Sequence, residues 1–253
     1  MLKCKGVTLA VSGRVLARDV DFEVRRGEVW AVLGANGSGK TTLIHTLAGL
    51  MPARQGAIDL GEMPVEGQRG RARAARVGVL LQQEDMAFHG SVLEYVILGR
   101  FPRARTFFAW SSEDEEAARA ALAAVGLDGL AGRDYRSLSG GERQRTRLAQ
   151  VLAQDPECFL LDEPLQHLDL RHQVAVLQLV RAFARERAKA IVAVLHDVLW
   201  PAQACTHALL LHENGAIETG PVADMLTRPR LEKLYGCELR EVRAEGVLYF
   251  APV

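Results

Sequence analysis

The sequence predicts an α/β fold built around a parallel sheet, and three observations carry that expectation. Unbroken apolar runs at 29–33, 158–161 and 191–195 have strand length and suit strands buried on both faces. The two later runs lead into polar residues, as the ends of central strands do in α/β proteins. The first passes through a glycine-rich turn straight into a segment with helical periodicity, 41–50.

Size and composition bound the rest. The 253 residues, 49% hydrophobic and 25% charged, have room for a real core, and we expect one domain over 1–253. Lys plus Arg is 31 and Asp plus Glu is 31, so net charge is zero and no nucleic-acid partner is expected. The cysteines (Cys4, Cys158, Cys205, Cys237) are scattered, without a CxxC pair, and read as reduced thiols. No apolar run approaches the ~20 residues of a membrane helix and no secretory signal is visible, so the chain is expected to stay inside the cell.

The elements follow in order. β-rich runs at 7–11 and 20–24 break at Gly13 and at Arg25-Arg26-Gly27, and should form an N-terminal antiparallel β-lobe. Arg69, Arg71, Arg73 and Arg76 form a basic stripe with no interleaved aromatics, expected to be a solvated face. The run 111–116 opens a helical segment, with Ser112 and Glu115 at capping-box spacing, acidic residues suiting the helix dipole, and Gly126 as the stop. The region from about 86 to 140 is expected to be an inserted helical subdomain.

Gly34-Ala35-Asn36-Gly37-Ser38-Gly39-Lys40-Thr41 matches G-x-x-x-x-G-K-[ST] in full. Glycines let successive backbone N–H groups point inward at phosphate oxygens. Lys40 adds a point charge on the β/γ phosphates, and the Thr41 hydroxyl can ligate Mg²⁺. Thr42 continues the helix start and is taken with the loop as ATP-binding. The strand 158–161 ends in Asp162-Glu163-Pro164. An Asp there supports magnesium in phosphate-loop enzymes, and a second acid is suited to polarising the attacking water. Neighbouring strand residues point to opposite faces, so the two need not share a role.

Leu138-Ser139-Gly140-Gly141-Glu142-Arg143-Gln144-Arg145 is an LSGGxxxR-type run. With it, the chain resembles the nucleotide-binding subunits of ABC transporters over essentially its whole length. That resemblance implies an α/β P-loop NTPase with a RecA-like core, ATP and Mg²⁺ as ligands, and a homodimer holding two ATP molecules at its interface. Ser139, Gly140 and Gly141 open a helix at 142–153, an anion site that in the family covers the partner subunit's nucleotide. Gln82 resembles the family glutamine that reaches the magnesium, with Gln83 a competitor for the role. His196 resembles the switch histidine on the γ-phosphate, and Asp169 the aspartate that couples the two sites. The resemblance makes Glu163 and His196 catalytic, and Thr41, Gln82 and Asp162 the metal-facing set.

Two positions depart from the family. Val11 or Ser12 stands where an aromatic usually stacks on adenine, a contact of about 0.5–1.5 kcal/mol. ATP affinity is therefore expected to be weaker, or base selectivity looser, by up to roughly tenfold. Leu165 replaces a commoner Thr or Ser.

The run from Ser91 to Pro102, V-x-E-x-V-x-x-G-R-[FY]-P, is similar to ATPases of bacterial importers for ferric siderophores, haem and cobalamin, as is Leu234-Tyr235-Gly236 with Leu239 and Val242. In those proteins this region receives an integral-membrane permease. Tyr95, Phe101, Phe107, Phe108 and Trp110 would then be either groove or core. A periplasmic or surface substrate-binding protein is implied indirectly, and the chain is placed peripherally on the cytoplasmic face of the inner membrane. The alternatives are an ABC ATPase serving another importer or an exporter, for example of a metal ion, and a soluble ABC ATPase of DNA repair or translation.

Overall fold

The computed structural model describes residues 1–82, 88–104, 109–244 and 247–253. The chain opens with β1 (Leu2–Val11) and β2 (Arg14–Val24), then the buried strand β3 (Val29–Leu33) and helix α1 (Lys40–Leu47). Next come β4 (Gln55–Leu60), β5 (Met63–Pro64), the short α2 (Gly70–Ala74) and β6 (Val77–Leu80). A helical stretch follows: α3 (Val92–Ile97), α4 (Ser112–Ala124) and α5 (Gly140–Gln154). The core resumes with β7 (Cys158–Asp162), α6 (Leu170–Arg187), β8 (Ala190–Val194), α7 (Leu199–Ala204) and β9 (His207–Leu211). The chain closes with β10 (Ile217–Pro221), α8 (Val222–Met225), α9 (Arg228–Tyr235) and the hairpin β11 (Leu239–Ala244) and β12 (Val247–Pro252).

The central sheet has the order β10-β9-β3-β8-β7-β6, parallel except for β10. All five residues of β3, β7 and β8 are buried, which is why these strands read as unbroken apolar runs. Their alternation divides the interior. Ala31, Phe159, Leu161, Ile191 and Ala193 pack toward α5 and α6, whereas Val32, Leu160, Val192 and Val194 pack toward α1 and the antiparallel sheet β2-β1-β4-β5. Among the described residues no helix is long and apolar enough to cross a membrane.

Several expectations are corrected. The first strand starts at Leu2, because Leu2-Lys3-Cys4-Lys5 alternates buried and exposed and pairs with both β2 and β4. Helix α1 ends at Leu47, with Gly49 in the left-handed region (φ 66°) stopping it short of residue 50. The capping box of α4 uses Ser111 and Asp114, one residue earlier than Ser112 and Glu115, which frees Glu115 for an exposed pair with Arg119. The Arg69–Arg76 stripe is not a bare solvated face. Arg76 pairs with Glu157 (2.8 Å), and Arg71 donates to the carbonyls of Pro102 and Ala104, tying α2 to the helical stretch.

In that stretch Tyr95 is core, stacked on Tyr135 at 4.2 Å, while Phe101 and Trp110 are exposed. A buried pair, Arg100–Asp114 (3.0 Å), joins the start of α4 to the segment after α3, and Arg100 also donates to Ala153 of α5. Gln83, Phe107 and Phe108, and the start of the expected helical subdomain at 86, lie outside the described residues.

Candidate functional site

The turn between β3 and α1 builds one wall of a cavity of about 880 Å³. Gly37 (φ 79°) and Gly39 (φ 109°) take conformations closed to ordinary side chains, and this curl leaves the start of α1 without a side-chain cap. Lys40 Nζ bonds back to the carbonyls of Gly34 (2.8 Å) and Ala35 (2.9 Å). Burial lowers its pKa, while Glu163 and Asp162 act to raise it. Ser38 Oγ is buried with no partner, beneath Gly34, which itself lies against the Leu211 carbonyl.

The carboxylates at the end of β7 diverge as strand geometry requires. Asp162 is fully buried and neither of its oxygens has a hydrogen-bond partner. Burial raises its pKa, against the pull of the nearby Thr41 hydroxyl. Glu163 is the first residue past the strand and is itself left-handed (φ 53°), an uncommon conformation for a residue with a side chain. Its Oε1 is shared by Gln82 Nε2 (2.8 Å) and His196 Nε2 (2.6 Å). Its main-chain carbonyl accepts from Gln166 N and Gln144 Nε2.

The cavity lining thus gathers Asn36, Gly37, Gly39, Lys40, Thr41, Thr42, Gln82, Glu163 and His196, and also Val11, Arg14 and Leu16. Phosphate oxygens fit the loop, since its lysine now occupies itself with loop carbonyls and a buried hydroxyl is unspent. A divalent cation held partly by phosphates fits the donor set of Thr41, Gln82 and the orphaned Asp162. No cluster of three or more His, Cys, Asp or Glu among the described residues could hold a metal alone.

Ser139, Gly140, Gly141 and Asp169 are not in that lining. Ser139 caps α5 in a complete capping box with Glu142, whose carboxylate accepts from Ser139 N at 2.8 Å. In the boxes at Ser91 and Ser111 the hydroxyl also donates to the box carboxylate, at 2.8 and 2.7 Å. At Ser139 no hydroxyl-to-carboxylate bond that short is found among the described residues, and the hydroxyl still helps to lower the Glu142 pKa. Gly140 and Gly141 face His167: a Cβ on Gly141 would lie 3.1 Å from the His167 carbonyl oxygen. Asp169 caps α6, accepting from His172 N (2.9 Å) and meeting its Nδ1 at 2.7 Å.

Sequence reasoning missed Gln144 and Arg147. Arg147 donates to the Leu81 and Gln82 carbonyls and to Gln144 Oε1, so this pair fixes the backbone under Gln82 and Glu163. Their signal was present: two polar residues three apart, facing the same way on a helix that packs on the core.

The ABC transporter family profile matches residues 17–166. The chain is 34% identical to the ferric enterobactin transport ATP-binding protein FepC of Escherichia coli, covering 93% of this chain and 87% of that protein. It is 39% identical to the hemin import ATP-binding protein HmuV of Gloeobacter violaceus, covering 96% and 90%. Among solved structures, a transporter described as of metal-chelate ABC type, in an inward-facing conformation, superimposes with TM-score 0.86 at 28% identity, covering 100% and 97%. A dimeric ATP-binding cassette in a post-hydrolysis state bound to ADP and phosphate gives 0.79 at 25%, covering 88% and 99%.

Proposed function

The chain belongs to the ABC transporter family, as an ATP-binding ATPase subunit, and from that premise we propose that it energises an importer of ferric siderophore, haem or cobalamin. The observation that carries the catalytic half is the Glu163 carboxylate, held on a left-handed residue beside the phosphate loop and shared by Gln82 and His196. The transport half rests on the V-x-E…G-R-F-P run and on relatives named for enterobactin and hemin.

Lys40 leaves its loop carbonyls to meet the β/γ phosphates, and Ser38 and the loop N–H groups complete the cradle. Thr41, Gln82 and Asp162 would hold Mg²⁺, which when bound would supply charge neutralisation on the phosphates. Glu163 accepts a proton from the attacking water at its carboxylate, and His196 swings from Glu163 to the terminal phosphate. Ser139 and the glycines after it serve the nucleotide of a second copy, and Asp169 links the two sites. ATP thereby closes a homodimer, hydrolysis opens it, and the cycle drives a permease docked on the 86–140 subdomain of this single domain. The protein sits peripherally on the cytoplasmic face of the membrane, meeting the substrate-binding protein only through the permease.

Co-purification from host membranes identifies the permease, and ATPase rate in the reconstituted complex is then read with binding protein carrying haem, cobalamin or a ferric siderophore. Stimulation by one of them names the cargo; stimulation by ribosomes or DNA, with no membrane partner, overturns the transport reading. Glu163→Gln should lower turnover by about 10²–10⁴-fold while ATP binding persists, and normal turnover in that variant removes Glu163 as the base.

A further inference from the structure

The β1–β2 hairpin contributes Val11, Arg14 and Leu16 to the cavity lining. Val11 and Arg14 are paired directly across it, and Ser12 (φ 47°) and Gly13 (φ 84°) make the two-residue turn, both left-handed. Turns of this kind match the twist of their strands and hold a hairpin tip in one place. Leu16 presses on the phosphate loop, since a Cβ on Gly39 would lie 3.0 Å from its Cδ1. Its main chain is backed by Gly215, whose added Cβ would lie 2.5 Å from the Leu16 carbonyl oxygen.

Arg14 is two residues before Leu16 and so projects from the same face, about 7 Å farther from the loop along the strand. It lines the cavity, is exposed, and makes no hydrogen bond or ion pair with any described residue. Val11 opposite is a small aliphatic residue, so among the described residues the hairpin tip offers no ring to the cavity. A nucleotide whose phosphates occupy the loop must lead its base outward past Leu16, into reach of a planar, uncommitted guanidinium. Guanidinium planes stack on aromatic faces, and a cation adds attraction to the ring quadrupole.

We propose that Arg14 is the base-binding residue of this ATPase: its guanidinium stacks on the purine of ATP, with Leu16 packing beside the ribose and Val11 too short to take part. The proposal rests on the ATP-binding reading of this cavity. Stacking reads a π-face and not a hydrogen-bond edge, so ATP and GTP should bind alike and CTP more weakly.

The test is equilibrium binding of ATP, GTP, CTP and inorganic tripolyphosphate to the purified chain, measured by titration calorimetry. We expect Arg14→Ala to weaken ATP binding by about three- to tenfold and to leave tripolyphosphate unchanged. Arg14→Phe should restore ATP affinity and Arg14→Lys should not. An unchanged ATP affinity in Arg14→Ala overturns the proposal. So does an equal loss for tripolyphosphate, or full ATP affinity in Arg14→Lys, since either would mean that only charge matters. Lys40→Ala separates the two readings: if it removes binding of every ligand while Arg14→Ala removes none, the nucleotide site stands and the stacking role falls. If the unaltered chain binds neither ATP nor tripolyphosphate, both fall.

Discussion

Helices α1 and α5 both begin at glycine-rich turns and both offer N–H groups to an anion, yet they are finished differently. The start of α1 is left raw: its N-cap, Gly39, has no side chain, and the nearest cation is turned aside onto loop carbonyls. The start of α5 is capped without any ligand, because Ser139 and Glu142 satisfy each other's backbone N–H groups. The N–H groups of Gly140 and Gly141, outside the box, are what it holds in reserve. The first helix start is therefore a binding site within one chain. The second is a folded surface that can lend a donor to something outside the chain, and it does not need that partner to hold its shape.

This contrast can be broken at either end. The largest effect is expected for Lys40→Ala, which removes a group already placed for two charge-assisted bonds. ATP binding by the isolated chain should fall by at least about a hundredfold, read by calorimetry. Ser139→Ala should do the reverse: ATP binding by the isolated chain stays, turnover falls, and the melting curve shows a loss of about 1 kcal/mol from the missing cap. If Ser139→Ala weakened binding to the single chain as strongly as Lys40→Ala, the two helix starts would not be different in kind.

Glu142→Gln sharpens the comparison by the smallest amount. The box hydrogen bonds from Ser139 hold the Glu142 pKa below its usual value, helped by Arg133 and Arg145. A depressed carboxylate pKa stabilises the fold above the unfolded pKa and loses that contribution as pH falls through the folded one. The unaltered chain should therefore lose a little more stability than Glu142→Gln between pH 5 and pH 3, about a few tenths of a kcal/mol. Thermal melts across that range check it, and parallel curves would mean the carboxylate is only a hydrogen-bond acceptor.

Much of the nucleotide pocket was legible because its residues are contiguous and their chemistry is local. Gly34 to Thr42 specify their own turn, and Asp162, Glu163 and His196 each end an apolar run. What stayed hidden depends on distant pairing. The first four residues of β1 are strand only because β2 and β4 flank them. Arg76 and Arg100 look like surface cations until Glu157 and Asp114 are brought beside them. The choice between Ser111 and Ser112 as cap of α4 turned on Arg100, since Asp114 faces that guanidinium and Glu115 faces outward. Arg14 was passed over because a missing ring was sought at Val11, on the strand across the turn.

On the catalytic role proposed for it, Glu163 sets folding and turnover against each other. A left-handed backbone disfavours any residue with a Cβ, by an amount on the order of 1–2 kcal/mol, and glycine would be free of it. A population of variants at this position, ranked by resistance to heat alone, would drift toward glycine and lose the carboxylate that the cavity was shaped around. Efforts to harden this protein by sequence should therefore hold residue 163 fixed and look for stability elsewhere, because here the weaker fold is the working one.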